Sequence, residues 1–101
     1  KRIRNYKNYI MNSIKAKVYG KVQGVFFRDF TKREAQRLKL TGWVKNMNNG
    51  SVRLQAIGED NQLKLLKDWL QKGSPLSEVE KVEYEWIENI KNPYSDFKIV
   101  L

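Results

Sequence analysis

The stretch Val18–Arg28 (VYGKVQGVFFR) decides the fold, because a strand pattern runs through a glycine-bearing loop into a helical pattern. Before the loop, apolar and polar residues alternate, as is typical of a strand with one buried face. The apolar members of this alternation are Ile14, Ala16 and Val18. After the loop, apolar residues fall on one helical stripe from Phe27 to about Leu38. The sequence therefore predicts a strand and a helix joined by a tight loop.

The loop between these two elements has the properties of an anion-binding site. Backbone N–H groups in a tight loop and in the first turn of a helix lack internal partners, and the helix dipole favours negative charge there. Gly24 has no Cβ, so its backbone can adopt a positive φ and approach a ligand closely. Arg28 adds a planar fork of donors. The stretch therefore predicts a cradle for an anion such as phosphate.

The composition limits the chemistry that the chain can perform. Its 101 residues suffice for one compact domain, and 20 Lys and Arg against 11 Asp and Glu give a formal net charge of +9. This charge attracts anionic ligands without specifying which anion. Without Cys or His, the chain cannot form disulfides, a typical zinc site, or the Cys-phosphatase, His-phosphatase and Ser-His-Asp constellations. Any catalysis must depend on positioning and electrostatics, and no metal or cofactor is expected.

Five more elements are predicted after the first helix from periodicity and from turn and cap residues. They are strands over Thr41–Met47 and Ser51–Gly58, a helix with Asp60 as its N-cap and Gly73 after its end, a strand over Lys81–Trp86, and a short terminal strand over Phe97–Leu101. The turn residues Asn48–Gly50 predict a tight hairpin between the first two of these strands.

The order of these elements predicts an α+β fold. A βαββαβ order with a short terminal strand favours the ferredoxin-like split βαβ arrangement, in which two helices pack on one face of a mainly antiparallel sheet. The first two strands are then parallel, with the third strand between them. Because the crossover through the first helix is right-handed, the loop before Arg28 and the residue Asn46 should meet near the same edge of the sheet.

The N-terminal residues are expected to be more flexible than the rest of the chain. Residues 1–12 are basic and are predicted to be a flexible N-terminal extension, and residues 13–101 form the folded domain. The extension lacks the apolar segment of a signal peptide, and no stretch approaches the ~20 apolar residues of a membrane span. We therefore expect a cytoplasmic protein without a membrane partner, and a monomer because the fold closes its own core.

Two motifs carry a resemblance to a known family. Val18–Arg28 and Gly42–Asn46 (GWVKN) together resemble the signature of the acylphosphatases. The likeness covers roughly residues 13–101 and extends through Gly50–Val52, Trp69–Leu70, Gly73–Pro75 and Tyr94–Ile99. Its spread is more similar to the small, stand-alone acylphosphatases than to the domain embedded in larger maturation proteins.

The resemblance implies an enzyme that hydrolyses small acyl phosphates to a carboxylate and inorganic phosphate, without a metal or a covalent intermediate. Arg28 matches the phosphate-binding arginine of the family, and Asn46 matches the asparagine that positions the attacking water. The residues matching the loop whose backbone amides hold the phosphoryl oxygens are Gln23, Gly24, Val25, Phe26 and Phe27. The side chains of Phe26 and Phe27 are expected to pack rather than to contact the ligand.

Two other functions are compatible with parts of this sequence pattern. A basic βαββαβ domain with aromatic residues is also typical of an RNA-recognition module, which places aromatic side chains on its central strands to stack bases. The predicted third strand, Ser51–Gly58, contains no aromatic residue, so no nucleic-acid partner is expected. A phospholigand-binding domain that keeps the cradle but lacks turnover stays open, and hydrolysis of a simple acyl phosphate separates it from an enzyme.

Overall fold

A computed structural model describes residues 10–101, and residues 1–9 of the predicted extension lie outside the described residues. The elements are β1 (Ile10–Lys21), α1 (Phe27–Arg37), β2 (Thr41–Asn46), β3 (Val52–Gly58), α2 (Asp60–Lys72), β4 (Glu78–Lys91) and β5 (Phe97–Val100). The predicted order of strands and helices is therefore confirmed. The first strand begins at Ile10, inside the stretch that the sequence assigned to the extension.

The five strands form one sheet in the order β4-β1-β3-β2-β5. β3 lies between β1 and β2 and is antiparallel to both, so β1 and β2 are parallel to each other as predicted. β5 adds a parallel strand beside β2. The two helices pack on one face of this mainly antiparallel sheet, which confirms the ferredoxin-like α+β fold.

The core lies between this face of the sheet and the two helices. Ile14, Ala16 and Val18, the alternating residues of β1, are all buried. The helix stripe that faces them includes Leu63, Leu66 and Leu70 of α2, each with 0% exposure. Burying such a leucine side chain stabilises the fold by about 1.5–3 kcal/mol. The two-residue alternation of the strand and the 3.6-residue period of the helix place these apolar side chains between the sheet and the helices.

β4 is longer at both ends than the sequence predicted, and a register shift lies at each end. It runs along the outer side of β1 from Glu78 to Lys91, with shifts between Met11 and Ser13 and between Tyr19 and Gly20 of β1. The bulged residue Asn89 has a positive φ of 57°. Because an extra residue at a bulge breaks the two-residue alternation of a strand, the pattern after Trp86 did not indicate β structure.

The start of α2 differs from the prediction that Asp60 is its N-cap. The N-cap position is held by Glu59, whose side chain makes no capping hydrogen bond, and Asp60 is the first helical residue. The Asp60 carboxylate accepts a hydrogen bond from Asn12 Nδ2 at 2.6 Å, and Asn12 Oδ1 accepts one from the Asn89 backbone N–H at 3.1 Å. Asn12 therefore links the start of β1, the bulge of β4 and the first turn of α2.

Neither helix between residues 10 and 101 is long and apolar enough to cross a membrane.

The backbones of β2 and β3 approach closely at Gly42, which has a φ of +137°. A Cβ at this position would lie 1.9 Å from the Gln55 carbonyl oxygen, so Gly42→Ala should lower the free energy of unfolding by at least about 3 kcal/mol. Gly50 is a matched control, because its φ is also positive but a Cβ there meets nothing within 4 Å. Gly50→Ala should cost only about 1–2 kcal/mol.

Urea denaturation, monitored by tryptophan fluorescence, measures the loss of unfolding free energy in both variants. Equal losses in the two variants would contradict the close approach at Gly42.

Candidate active site

The cradle loop, defined as residues 22–26, connects β1 to α1 and is anchored by buried side chains. Val22 and Val25 are buried, as is Phe27 at the start of α1, whereas Gly24 and Phe26 are exposed. The Phe27 ring packs against Trp69 of α2, with 5.7 Å between the ring centroids. Buried side chains thus fix the loop against the core at every second or third residue and leave its backbone at the surface.

The backbone of the cradle loop turns through two residues with positive φ. Gly24 has a φ of +75°, and Phe26, the N-cap of α1, has φ 60° and ψ 23°. No side chain caps the helix. Within residues 10–101, no backbone N–H from Gln23 to Asp29 donates a hydrogen bond, and the first donation in α1 is from the Phe30 N–H to the Phe26 carbonyl oxygen. Loop and helix start together present unpaired donors, as an anion-binding turn does.

Three hydrogen bonds from two side chains keep the cradle loop in place. The Gln23 side chain donates from Nε2 to the carbonyl oxygens of Met47 and Ser51, at 2.8 and 2.9 Å. The buried Ser74 hydroxyl, which follows α2, donates to the Val25 carbonyl oxygen at 3.1 Å. The loop is therefore fastened on one side to the β2–β3 hairpin and on the other to the segment after α2.

Asn46 is the last residue of β2, and the sheet register turns it toward the helices. It pairs with Val52 of β3, which in turn pairs with Val18 of β1, and both valines are buried in the core. The Asn46 side-chain oxygen, Oδ1, is buried and has no hydrogen-bond partner among the described residues. A buried acceptor without a partner is costly for the folded protein. Asn46 Oδ1 is therefore available to accept a hydrogen bond from a bound molecule.

One cavity of about 350 Å³ brings most of the sequence-predicted residues together. Its lining consists of Val22, Gly24, Phe26, Phe27, Arg28, Asp29, Asn46, Ile99 and Leu101. Arg28 forms no salt bridge among residues 10–101. The cavity therefore combines unpaired backbone donors, an unpaired guanidinium and an unpaired amide oxygen, which suits an oxyanion held beside a polar small molecule.

Two residues of the predicted loop do not line this cavity with their side chains. Gln23 directs its amide toward the β2–β3 hairpin, and Val25 is buried with its carbonyl oxygen bonded to Ser74. The bridging role of the Gln23 side chain was missed, because a hydrogen bond across 24 or 28 residues leaves no local pattern in the sequence.

The expectation that Phe26 packs was wrong, since 63% of the residue is exposed. Its left-handed backbone interrupts the strand alternation just before α1 begins, so the side chain leaves the core. Ile99 was also missed as a lining residue. It reaches the cavity because β5 pairs in parallel with β2, and this pairing has no local sequence signal.

A larger groove of about 440 Å³ contains none of the predicted site residues. Its lining includes Lys15 and Lys17, two exposed residues of β1, and their cross-strand partners Glu85 and Glu83 of β4. Opposite charges that face each other across strands stabilise a sheet surface. This groove is therefore explained by the solvent-facing side of the sheet, and we take the cavity at the cradle loop as the candidate active site.

Comparisons with known proteins point to one family. The family model described as Acylphosphatase matches residues 14–99. An acylphosphatase of Coxiella burnetii is 46% identical over 86 residues, covering 85% of this chain and 88% of that protein. Acylphosphatase-1 of Mus musculus is 40% identical over 90 residues, covering 87% of this chain and 91% of that protein. The crystal structure of acylphosphatase from Bacillus subtilis matches with a TM-score of 0.86 and 36% identity, over 90% of this chain and 100% of the other.

The bridge made by Gln23 can be tested through stability. Gln23→Met keeps the size of the side chain but removes both donors, so it should lower the free energy of unfolding by about 1–2 kcal/mol. Gln36→Met is the control, because Gln36 is exposed and donates one long bond of 3.4 Å to Asp96. Its loss should stay below about 0.5 kcal/mol in urea denaturation. Indistinguishable losses would mean that the bridge does not hold the loop.

Proposed function

The chain belongs to the acylphosphatase family, an enzyme family that hydrolyses acyl phosphates, and we propose that its cradle loop, Arg28 and Asn46 perform this reaction. The observation that carries the proposal is the group of unpaired hydrogen-bonding atoms around one cavity. They are the backbone N–H groups of the loop and helix start, the Arg28 guanidinium and Asn46 Oδ1.

In this proposal the phosphoryl group binds at the cradle loop. The backbone amides of Gln23, Gly24, Val25, Phe26 and Phe27 donate to its oxygens, and the N-terminus of α1 favours the negative charge. Arg28, the second residue of that helix, donates two parallel hydrogen bonds from its planar fork. Together these donors stabilise the charge on the equatorial oxygens of the transition state.

Asn46 positions the water that attacks phosphorus. Its Oδ1 can accept a hydrogen bond from this water, which would satisfy the buried atom that has no partner among residues 10–101. A water held in this way does not have to find phosphorus by a random encounter, because it is already in line with the bond that breaks. The chain contains no histidine, and this positioning needs no strong base.

The bonds and protons of the proposed reaction balance without a metal or a covalent intermediate. The water oxygen bonds to phosphorus while the bond between phosphorus and the carboxyl oxygen breaks, and the acyl half leaves as a carboxylate. One proton of the water passes to a phosphoryl oxygen of the substrate. Because a carboxylate is a good leaving group, a loose transition state requires mainly charge stabilisation and alignment.

The role of Arg28 depends on its fork and not only on its charge. Arg28→Lys keeps the charge but cannot form two parallel bonds, so kcat for benzoyl phosphate should fall by roughly a hundredfold to a thousandfold. Arg28→Ala should lower it at least as much. Arg33→Lys is the matched control, since Arg33 lies on the same helix, is exposed and does not line the cavity. Near-normal turnover by Arg28→Lys would reject the bidentate role.

The role of Asn46 is tested by phosphate release from acetyl phosphate in the presence of a chelator. Asn46→Ala should lower kcat by about a hundredfold or more, because the water loses its positioning partner. Asn48→Ala, in the exposed hairpin two residues later, should retain parent activity. Activity that disappears with the chelator, or an unaffected Asn46→Ala, would overturn the proposed mechanism. A parent protein that binds phosphate but releases none would indicate a binding domain without turnover.

A further inference from the structure

Phe26 occupies a position that its residue type does not explain. It is an aromatic residue in the left-handed region, with φ 60° and ψ 23°, where glycine or asparagine is the usual choice. Its side chain does not gain burial in return, since 63% of the residue is exposed. It also makes no aromatic or cation–π contact among the described residues, whereas the neighbouring Phe27 packs on Trp69. An aromatic ring at this position is unfavourable for the folded protein alone.

The lining of the candidate active site combines two chemically different sets of residues. One set carries the polar groups assigned above to phosphate and water, which belong to Gly24, Arg28 and Asn46. The other set is apolar and includes Val22, Phe26 and Ile99. An acyl phosphate combines the same two kinds of group, because a charged phosphoryl group is joined to an acyl group that is often apolar. The two sets of residues therefore match the two halves of one substrate class.

Phe26 belongs to both sets. Its backbone is part of the cradle loop, and the residue lines the cavity with 63% of its surface exposed, whereas Val22 is buried. In-line attack requires the leaving carboxylate to lie opposite the water, and therefore away from Asn46. The acyl group of a phosphate bound by the loop amides therefore extends away from Asn46, and Phe26 is the exposed apolar residue of the cradle loop that can cover it.

We propose that Phe26 is a specificity-determining residue, and that the preferred substrates are acyl phosphates with an apolar, planar acyl group such as an aryl group. This inference rests on the proposed hydrolysis of acyl phosphates. The exposed ring of Phe26 covers the acyl group by offset or edge-to-face stacking and removes apolar surface of both partners from water. Small acyl groups reach less of the ring and gain less from it.

The test compares kcat/KM for benzoyl phosphate with kcat/KM for acetyl phosphate in each variant. General damage to the cradle lowers kcat/KM for both substrates, so it does not change the benzoyl-to-acetyl ratio. The two substrates also differ in intrinsic reactivity, but this difference is the same in every variant and does not affect the comparison of ratios between variants. Phe26→Ala should lower the benzoyl-to-acetyl ratio by about tenfold, the size expected for one lost aromatic contact. Phe26→Tyr keeps the ring and should retain the parent ratio.

Leu76→Ala is the matched control, because Leu76 is also 63% exposed but does not line the cavity. It should leave the ratio unchanged. An unchanged ratio in Phe26→Ala, including the case in which both substrates lose activity equally, would overturn the role of the ring. A ratio lowered in Phe26→Tyr as much as in Phe26→Ala would also overturn it. A parent protein that hydrolyses neither substrate would instead overturn the proposed function itself, before any variant is compared.

Discussion

The unpaired backbone donors at the start of α1 are the constraint on which the rest of the structure depends. Amides without partners favour a ligand only if the loop keeps them pointed outward, and this requires two left-handed residues, Gly24 and Phe26, in close succession. Such a conformation is held by its surroundings and not by its own propensity. Buried valine side chains, the Gln23 bridge and the Ser74 hydroxyl supply that support from three separate directions.

The sheet topology supplies the second half of the site. Asn46 and the cradle loop are separated by the whole of α1, but the crossover makes β1 and β2 parallel with β3 between them. The C-terminal ends of β1 and β2 therefore lie at the same edge of the sheet. Gln23 makes this relation rigid, because it bonds the loop directly to the carbonyl oxygens that follow β2. The distance between the cradle loop and Asn46 is therefore set by the sheet topology and by the hydrogen bonds of the Gln23 side chain.

The order of elements, the position of β3 and the meeting of Arg28 with Asn46 could be predicted from the sequence, because they follow from side-chain periodicity and the handedness of one crossover. Residues that depart from the regular period could not be predicted in this way. The bulge at Asn89 concealed the second half of β4, and the left-handed turn at Phe26 moved a ring from the expected core to the surface. Contacts between distant segments, such as the Gln23 bridge, were equally hidden.

The long outer strand β4 has a consequence for how copies of this chain meet. Within residues 10–101, β4 is an edge strand of the sheet, and an edge strand can act as a template for another chain. β4 carries five glutamates and two lysines among its 14 residues, in a protein whose net charge is otherwise strongly positive. If two β4 strands met edge to edge, their glutamates would repel one another, and the bulge at Asn89 would interrupt a continuous hydrogen-bonded ladder. Both features of β4 disfavour pairing with a second strand at this edge of the sheet.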